Sequence, residues 1–291
     1  MIGRFDLNRP RPGRPAGAPF QLGRRRCLNL VVGLILVSIV LALAGLGAVW
    51  TPHDPERMDL SERAAPPSLN HPFGTDQFGR DALSRVLKGA GSAVQVGLGV
   101  AAIAAALGVI LGAAGGFRGG PLDEFLMRFI DGLYAFPPLI MALALVAALG
   151  PGLHQVTVAI GLAEVPAFAR LTRSLVITLR KQLYIEAAKS IGAGDWQIVR
   201  THLLPNAAPA LFVQASIAFS TAVLAEAALS FLGLGVQPPA ASWGLMLQEA
   251  QNFLYQAPWM AIFPGLLIAL TILGFNLLAD GLAERSDPRL R

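Results

Sequence analysis

The feature that most constrains this chain is a series of six predominantly apolar runs, most of them long enough to cross a bilayer. The first, Leu28 to Trp50, contains no charged residue. A membrane-spanning α-helix needs about 20 such residues, whereas a barrel strand needs about ten of alternating polarity, a pattern that is absent. The other five runs are Val94 to Gly116, Leu133 to Leu149, Val156 to Leu171, Ala207 to Leu232 and Trp259 to Ala279. The sequence therefore predicts an all-α membrane protein with about six transmembrane helices.

Composition supports the same class. Hydrophobic residues make up 54% of the chain and charged residues only 14%, against about 25% charged residues in a soluble domain. An ordinary soluble enzyme and a disordered chain are both excluded, since each needs more charge than this. The single cysteine, Cys27, forms no disulfide within the chain.

The first apolar run has two possible interpretations. Three arginines precede it and Ala42-Leu43-Ala44 lies inside it, as in a cleaved secretion signal. The apolar part of such a signal is about 7–15 residues long, and this run is longer. We expect a retained transmembrane helix.

The positions of the basic residues predict the orientation. Eighteen of the 23 lysines and arginines lie before Cys27, in two connections between runs, or after Ala279, and the other five lie between Thr51 and Ala90. Basic residues concentrate on the cytoplasmic side of a membrane. Both termini are therefore predicted to be cytoplasmic. The net charge of +5 then follows from topology, and no nucleic-acid partner is expected.

These features divide the chain into five predicted parts. They are a basic cytoplasmic tail (residues 1–27), a first transmembrane helix (28–50), an extracytoplasmic segment (51–90), a five-helix core (91–280) with a cytoplasmic loop at 176–206, and a cytoplasmic tail (281–291). In the second run Gly108, Gly112 and Gly116 recur every four residues. That spacing predicts a groove of small residues that a neighbouring helix can enter.

The cytoplasmic loop is the segment most suggestive of a mechanism. Good helix formers run from Lys181 to Ile191, and Gly192 and Gly194 can supply the left-handed conformation that ends a helix. Asp195 is predicted to cap a second short helix, which Pro205 would terminate. Helical spacing predicts two buried faces, which consist of Ile185, Ala188 and Ile191 and of Trp196, Val199 and Leu203. The product is a helix–turn–helix of the kind that docks a soluble partner.

This loop also resembles a known family. Glu186-Ala187-Ala188, Gly192 and Leu204-Pro205 are similar to the E-A-A-x3-G-x9-I-x-L-P motif of ABC importer permeases, with His202 in place of the isoleucine.

Two further segments narrow the resemblance to the dipeptide/oligopeptide/nickel permease family. The run from Gly74 to Asp81, followed by Ser84-Arg85, resembles its G-T-D-x-x-G-R-D-x-x-S-R signature, which includes Asp76, Gly79, Arg80 and Asp81. The segment from Ser230 to Gly244 resembles the end of its fifth helix and the loop that follows. The nearest likeness is to the C-type membrane subunit of dipeptide and oligopeptide importers.

The resemblance implies a type I (MetI-like) permease bundle in a prokaryotic inner membrane. The implied partners are a second homologous permease, two cytoplasmic ATPases and an extracytoplasmic solute-binding protein. Residues Glu186 to Gly192 would form the coupling helix on one ATPase, with Ala187 and Ala188 allowing close approach. The chain would be no enzyme and hold no cofactor, because ATP and Mg²⁺ would bind to the ATPases; accordingly it has no phosphate-binding G-x-x-x-x-G-K-[ST] motif.

Acidic residues inside apolar runs are candidates for the translocation pathway. Glu164 and Glu226 interrupt the fourth and fifth runs, and intramembrane acids face the bundle interior or a water-filled cavity. For both, a structural role remains the main alternative. The family signature leaves the roles of Arg80 and Asp81 open between local structure and contact with the binding protein.

Other sites and classes receive less support. The histidines, His53, His71, His154 and His202, have no metal-ligand spacing, so no metal site is predicted. Peptide is the expected cargo, with nickel or another small solute as the alternative. A non-transporting membrane sensor or scaffold is the rival from another class, but it leaves the Glu186–Pro205 element unexplained.

Overall fold

The computed structural model describes residues 19–286, with side chains described for residues 28–285, and this part of the chain is helical without any strand. Residues 1–18 of the predicted N-terminal tail (1–27) and the last five residues of the chain lie outside it. The α-helices are α1 (Pro19–Val49), α2 (Ala82–Arg118), α3 (Gly120–Tyr134), α4 (Pro138–Leu149), α5 (Leu153–Leu179), α6 (Leu183–Ser190), α7 (Asp195–Ile198), α8 (Leu204–Phe231), α9 (Trp243–Ala250) and α10 (Trp259–Ser286). The all-α prediction is confirmed.

Six crossings are not confirmed as a count. In the described residues, four helical stretches are long and apolar enough to cross a membrane, and a fifth is added if α3 and α4, bent by 85°, count as one. α5 does not qualify, although it is 27 residues long. It carries Glu164, Arg170 and Arg173, which lower its apolar character.

Several helices extend beyond the predicted segment boundaries. α1 begins within the predicted tail, at Pro19, and α10 continues to Ser286. α2 begins at Ala82, inside the predicted extracytoplasmic segment, because the Asp81 carboxylate accepts the Ser84 N–H and caps the helix there. Its 37 residues extend over about 55 Å, further than the hydrocarbon core of about 30 Å.

Prolines have different effects on the helices of the third and fourth runs. The third run does not form one helix, since a turn at Phe136-Pro137 separates α3 from the 12-residue α4. In the fourth run, by contrast, α5 continues as one helix through both Glu164 and Pro166. Pro166 removes one backbone hydrogen bond, but it is buried and the helix continues on both sides of it.

The predicted glycine groove is confirmed as the contact between α2 and α5. A Cβ at Gly112 would lie 2.8 Å from Thr172 Cβ, and one at Gly116 would lie 2.9 Å from the Arg173 carbonyl oxygen. Gly108 meets Phe168 and Val165 in the same way. The partners advance in step with the glycines, so the two helices run parallel and their backbones approach closely.

Glycine contacts also fix the direction of the outer helices. Gly33 in α1 lies against Leu278 of α10, and Gly274 of α10 lies against Leu36 of α1. These pairs run in opposite order, so α1 and α10 are antiparallel. Gly47, near the end of α1, packs on Leu87, near the start of α2. The first helix therefore begins, and the last ends, at the end of the bundle where α2 and α5 finish.

Candidate functional site

α6 is a short helix with a defined end, at the same end of the bundle as the finish of α5. Gly192 adopts φ +86°, and its N–H donates to the Lys189 carbonyl at 2.9 Å, while the Ala193 N–H donates to the Ala188 carbonyl at 3.0 Å. This pair of bonds is a Schellman motif, which needs a left-handed residue at the Gly192 position. The predicted turn at Gly192 is confirmed, but Gly194, with φ −70°, is not left-handed.

The buried face of α6 differs in part from the prediction. Ile185 and Ala188 are buried, and they belong to one cluster with Val176 of α5 and Leu203. Ile191 is 85% exposed, because it follows the last helical turn and lies outside the helical periodicity.

The next helix shows a similar shift. Val199 and Leu203 are buried as predicted, but Ile198 is buried in place of Trp196, which is 73% exposed. Asp195 is the first residue of α7 and not its cap, which is Gly194.

Pro205 does not terminate a helix, contrary to the prediction. α7 leads through a π-helical turn at Val199–Leu203 into α8, and Pro205 lies in the first turn of α8. The Leu204 N–H donates to the Val199 carbonyl, five residues back. Widening to the π form leaves room for a ring that lacks an N–H. The predicted loop is thus physically continuous with α8.

The predicted coupling residues therefore divide between two surfaces. Glu186, Ala187 and Gly192 are exposed, whereas Ala188 packs inward, so Ala188 does not provide close approach to a partner. Leu204 is half-buried and Pro205 exposed. The same segment also exposes three apolar side chains that the motif did not indicate, namely Leu183, Ile191 and Trp196.

At the opposite end of the helix bundle, the residues of the family signature form a buried cluster of charged side chains. Asp76 Oδ1 accepts the backbone N–H groups of Phe78 and Arg80, and Asp76 Oδ2 accepts Arg80 Nε at 2.6 Å. Gly79 has φ +75°, and a Cβ there would collide with the Asp59 carbonyl oxygen. These contacts form a tight turn that only glycine fits at that position.

Glu249 of α9 completes this cluster, and sequence reasoning missed it. Its two carboxylate oxygens accept Arg80 Nη2 at 2.9 Å and Arg85 Nη2 at 3.0 Å. Both arginines are at most 1% exposed. Glu249 lies in an outer loop that contains no lysine or arginine, and this was the one sequence signal that its basic partners lie elsewhere in the chain. Arg80 thus pairs with Asp76 and Glu249, and not with Asp81.

Asp81 instead contacts the imidazole of His71. Its Oδ2 accepts the Ser84 N–H and hydroxyl, and its Oδ1 lies 2.8 Å from His71 Nδ1. His71 Nε2 lies 2.7 Å from Glu62 Oε2. Burial alone lowers the pKa of His71, but the hydrogen bonds to Asp81 and Glu62 outweigh it and raise that pKa above its ordinary value.

The two intramembrane acids have different surroundings. Glu226 is 2% exposed, and its carboxylate accepts the Ser230 hydroxyl at 2.6 Å. This contact supports the structural alternative for Glu226. Glu164 is half-buried and has no hydrogen bond or ion pair with any residue that the structure describes.

Comparison with known proteins adds three findings about sequence. A family model described as "Binding-protein-dependent transport system inner membrane component" matches residues 104–291. The probable D,D-dipeptide transport system permease protein DdpC of Escherichia coli K12 is 40% identical, covering 89% of this chain and 88% of its own. The dipeptide transport system permease protein DppC of Alkalihalophilus pseudofirmus is 41% identical, covering 90% and 86%.

Two further proteins bear on function and fold. The glutathione transport system permease protein GsiD of Escherichia coli O6:K15:H31 is 42% identical over 92% of this chain and 89% of its own. A solved chain of the MetNI methionine ABC transporter, in an inward-facing conformation, superposes with a TM-score of 0.55 at 21% identity, covering 71% of this chain and 96% of that one. At that identity the likeness concerns the fold alone.

Proposed function

The chain belongs to the binding-protein-dependent transport system inner membrane component family, and from that premise we propose that it forms half of the translocation pathway of an ATP-driven importer of short peptides. It is a permease of the ABC importer class in a prokaryotic inner membrane. The observation that carries the proposal is the match to peptide permeases over about nine-tenths of the chain.

The structure around α6 suits a coupling element. Ile185 lies in one buried cluster with Ala113 of α2, Val176 of α5 and Leu203, which leads into α8. The Arg180 guanidinium, directly before α6, donates to the Gly116 and Phe117 carbonyls at 3.2 and 2.7 Å. The cluster around Ile185 connects α6 to α2, α5 and the start of α8, and the Arg180 bonds join the end of α5 to the end of α2. A force on its exposed face would move these helices together, as a transition between inward- and outward-facing states requires.

The proposed partner at α6 is a cytoplasmic ATPase. Exposed apolar side chains grouped with polar ones mark a protein interaction site, and Leu183, Ile191 and Trp196 are exposed in the same segment as Glu186 and Ala187. A second homologous permease, a second ATPase and an extracytoplasmic solute-binding protein complete the assembly. ATP and Mg²⁺ bind to the ATPases, and this chain carries no catalytic step.

Peptide is the proposed cargo because three relatives that are 40–42% identical to this chain are named as permeases for D,D-dipeptides, dipeptides and glutathione. Glu164 is the acid that we place on the pathway. It is half-buried without a hydrogen-bond or ion-pair partner among the residues that the structure describes, and an intramembrane carboxylate needs either a partner or water. Glu226 has its partner in Ser230 and supports the bundle.

The test is ATP-dependent dipeptide uptake by the reconstituted transporter with Gly192→Pro in this chain. Proline holds φ near −65° and has no N–H, so it fits neither the left-handed backbone at Gly192 nor its bond to Lys189. We expect uptake to fall at least tenfold while the variant inserts and co-purifies with its partners. Gly194→Ala is the matched control, since φ is −70° and the space around it is open.

Normal uptake by Gly192→Pro would contradict the coupling role of α6. Mass spectrometry of proteins that co-purify with wild type tests the assembly itself. We expect a second permease and one or two ATPases. If the chain emerged alone, even after crosslinking, the importer proposal would fail.

A further inference from the structure

Two histidines that are 18 residues apart in sequence meet beside the Asp81 carboxylate. One ligand atom from each of His53, His71 and Asp81 lies within 4.8 Å of the other two. Asp81 Oδ1 is 2.8 Å from His71 Nδ1 and 3.8 Å from His53 Nδ1. Ligands on a tetrahedral Zn²⁺ lie about 3.3 Å apart when each bond is about 2.0–2.1 Å. The distance from Asp81 Oδ1 to His71 Nδ1 is a little shorter than this ligand spacing, and the distance to His53 Nδ1 is a little longer.

The Asp81 carboxylate is oriented so that one of its oxygens faces both histidine rings. Asp81 Oδ2 accepts both hydrogen bonds from Ser84, which leaves Oδ1 facing the imidazoles. The His53 backbone N–H donates to the same Ser84 hydroxyl at 3.0 Å. The backbone that carries His53 is therefore fixed to the first turn of α2.

Glu62 has the position of an outer-shell partner. Its Oε2 lies 2.7 Å from His71 Nε2, so His71 has one ring nitrogen toward Glu62 and the other toward Asp81. Metal-bound histidines commonly donate their second ring nitrogen to a carboxylate, which orients the ring and strengthens the ligand.

Access to the cluster is open on one side. The His53 side chain is 44% exposed, whereas those of His71 and Asp81 are 12% and 1% exposed. A cation would enter past His53 and rest against the buried pair. Two histidines and one carboxylate suit zinc, with a water molecule as the fourth ligand.

A proton on His71 explains its contacts with two carboxylates, but it does not explain His53. The His53 and His71 rings lie 4.6 Å apart, and both face the same oxygen of Asp81. A shared cation accounts for all three groups.

We propose that His53, His71 and Asp81 form an extracytoplasmic binding site for a divalent transition cation of the zinc class, with Glu62 as its outer-shell partner. The bound cation would link the segment after α1 to the N-cap of α2. The proposal is independent of the transport function, because it needs only this chain and no partner or cargo.

The test is zinc binding to the full-length chain in detergent, purified with a tag that contains no histidine. The protein is stripped with chelator, dialysed against ZnCl₂ and analysed for bound metal. We expect one zinc per chain in wild type. His53→Ala should lower the affinity at least tenfold, and Glu62→Gln about 10–100-fold. The double variant His154→Ala/His202→Ala is the matched control and should bind as wild type does.

Thermal unfolding separates loss of the site from loss of the fold. Without zinc, His53→Ala should melt close to wild type, since this side chain is half-exposed. Added zinc should raise the melting temperature of wild type and of the double variant, but not that of His53→Ala. If wild type bound no zinc, or if His53→Ala bound it as tightly as wild type, the assignment would be wrong.

Discussion

At the scale of single residues, Glu249 illustrates how one side chain can join distant parts of the molecule. It is the shared acceptor of Arg80 and Arg85, which lie 169 and 164 residues away. The two guanidinium groups are buried, and a buried charge needs an opposite charge and hydrogen bonds to be tolerated. The extracytoplasmic segment is thereby fixed to α9.

We predict that Glu249→Ala lowers the free energy of unfolding by about 3–5 kcal/mol, because it leaves two buried arginines short of an acceptor. The measurement is thermal or denaturant unfolding in one detergent. Glu124→Ala is the control, since its ion pair with Arg128 is exposed and worth at most about 0.5 kcal/mol. Equal effects of the two substitutions would show that the cluster does not hold the segment.

At the scale of elements, the contact between α2 and α5 depends on the absence of side chains. Gly108, Gly112 and Gly116 allow the α5 backbone to lie directly on α2. Helices in a membrane gain little from hydrophobic burial against each other, so close packing of this kind provides much of their association.

We predict that Gly112→Ala destabilises the protein by about 1–3 kcal/mol, the usual cost of overpacking. A Cβ there meets Thr172 Cβ at 2.8 Å and cannot be accommodated without moving α5. Gly91→Ala, in the same helix, is the control, because nothing lies within 4 Å of the added atom. Melting temperatures of the two variants in one detergent check this, and Gly91→Ala should match or exceed wild type.

At the scale of the whole molecule, the antiparallel contacts of α1 with α2 and α10 place both ends of the described chain at the end that carries α6. The distribution of lysine and arginine assigns that end to the cytoplasm. The charge cluster and the histidines then face the other side.

Single cysteines test this orientation, because the chain has only one cysteine, Cys27. In a Cys27→Ser background, Leu69→Cys should react with an impermeant maleimide in intact protoplasts, since Leu69 is fully exposed in the extracytoplasmic segment. Lys181→Cys should react only after the membrane is permeabilised. The reverse pattern would invert the topology.

Much of this protein follows from the sequence alone. Apolar runs imply helices because a backbone in hydrocarbon must satisfy its own hydrogen bonds. The turn at Gly192 and the glycine groove of α2 also follow, since each depends on local conformation or on one helix face. Helix ends were predicted poorly where packing overrides local signals, as at Pro205.

Only the tertiary structure decided which distant groups meet. The loop around Glu249 has no lysine or arginine, which indicates a distant basic partner but does not identify Arg80 and Arg85. The positions of His53, His71 and Asp81 in the sequence also give no sign that the three side chains meet. The exposure of Ile191 and Trp196 likewise depends on how the α6–α7 turn rests on α5 and α8. Local sequence determines helices and turns through short-range sterics and solvation, whereas contacts between remote side chains depend on how the finished helices pack.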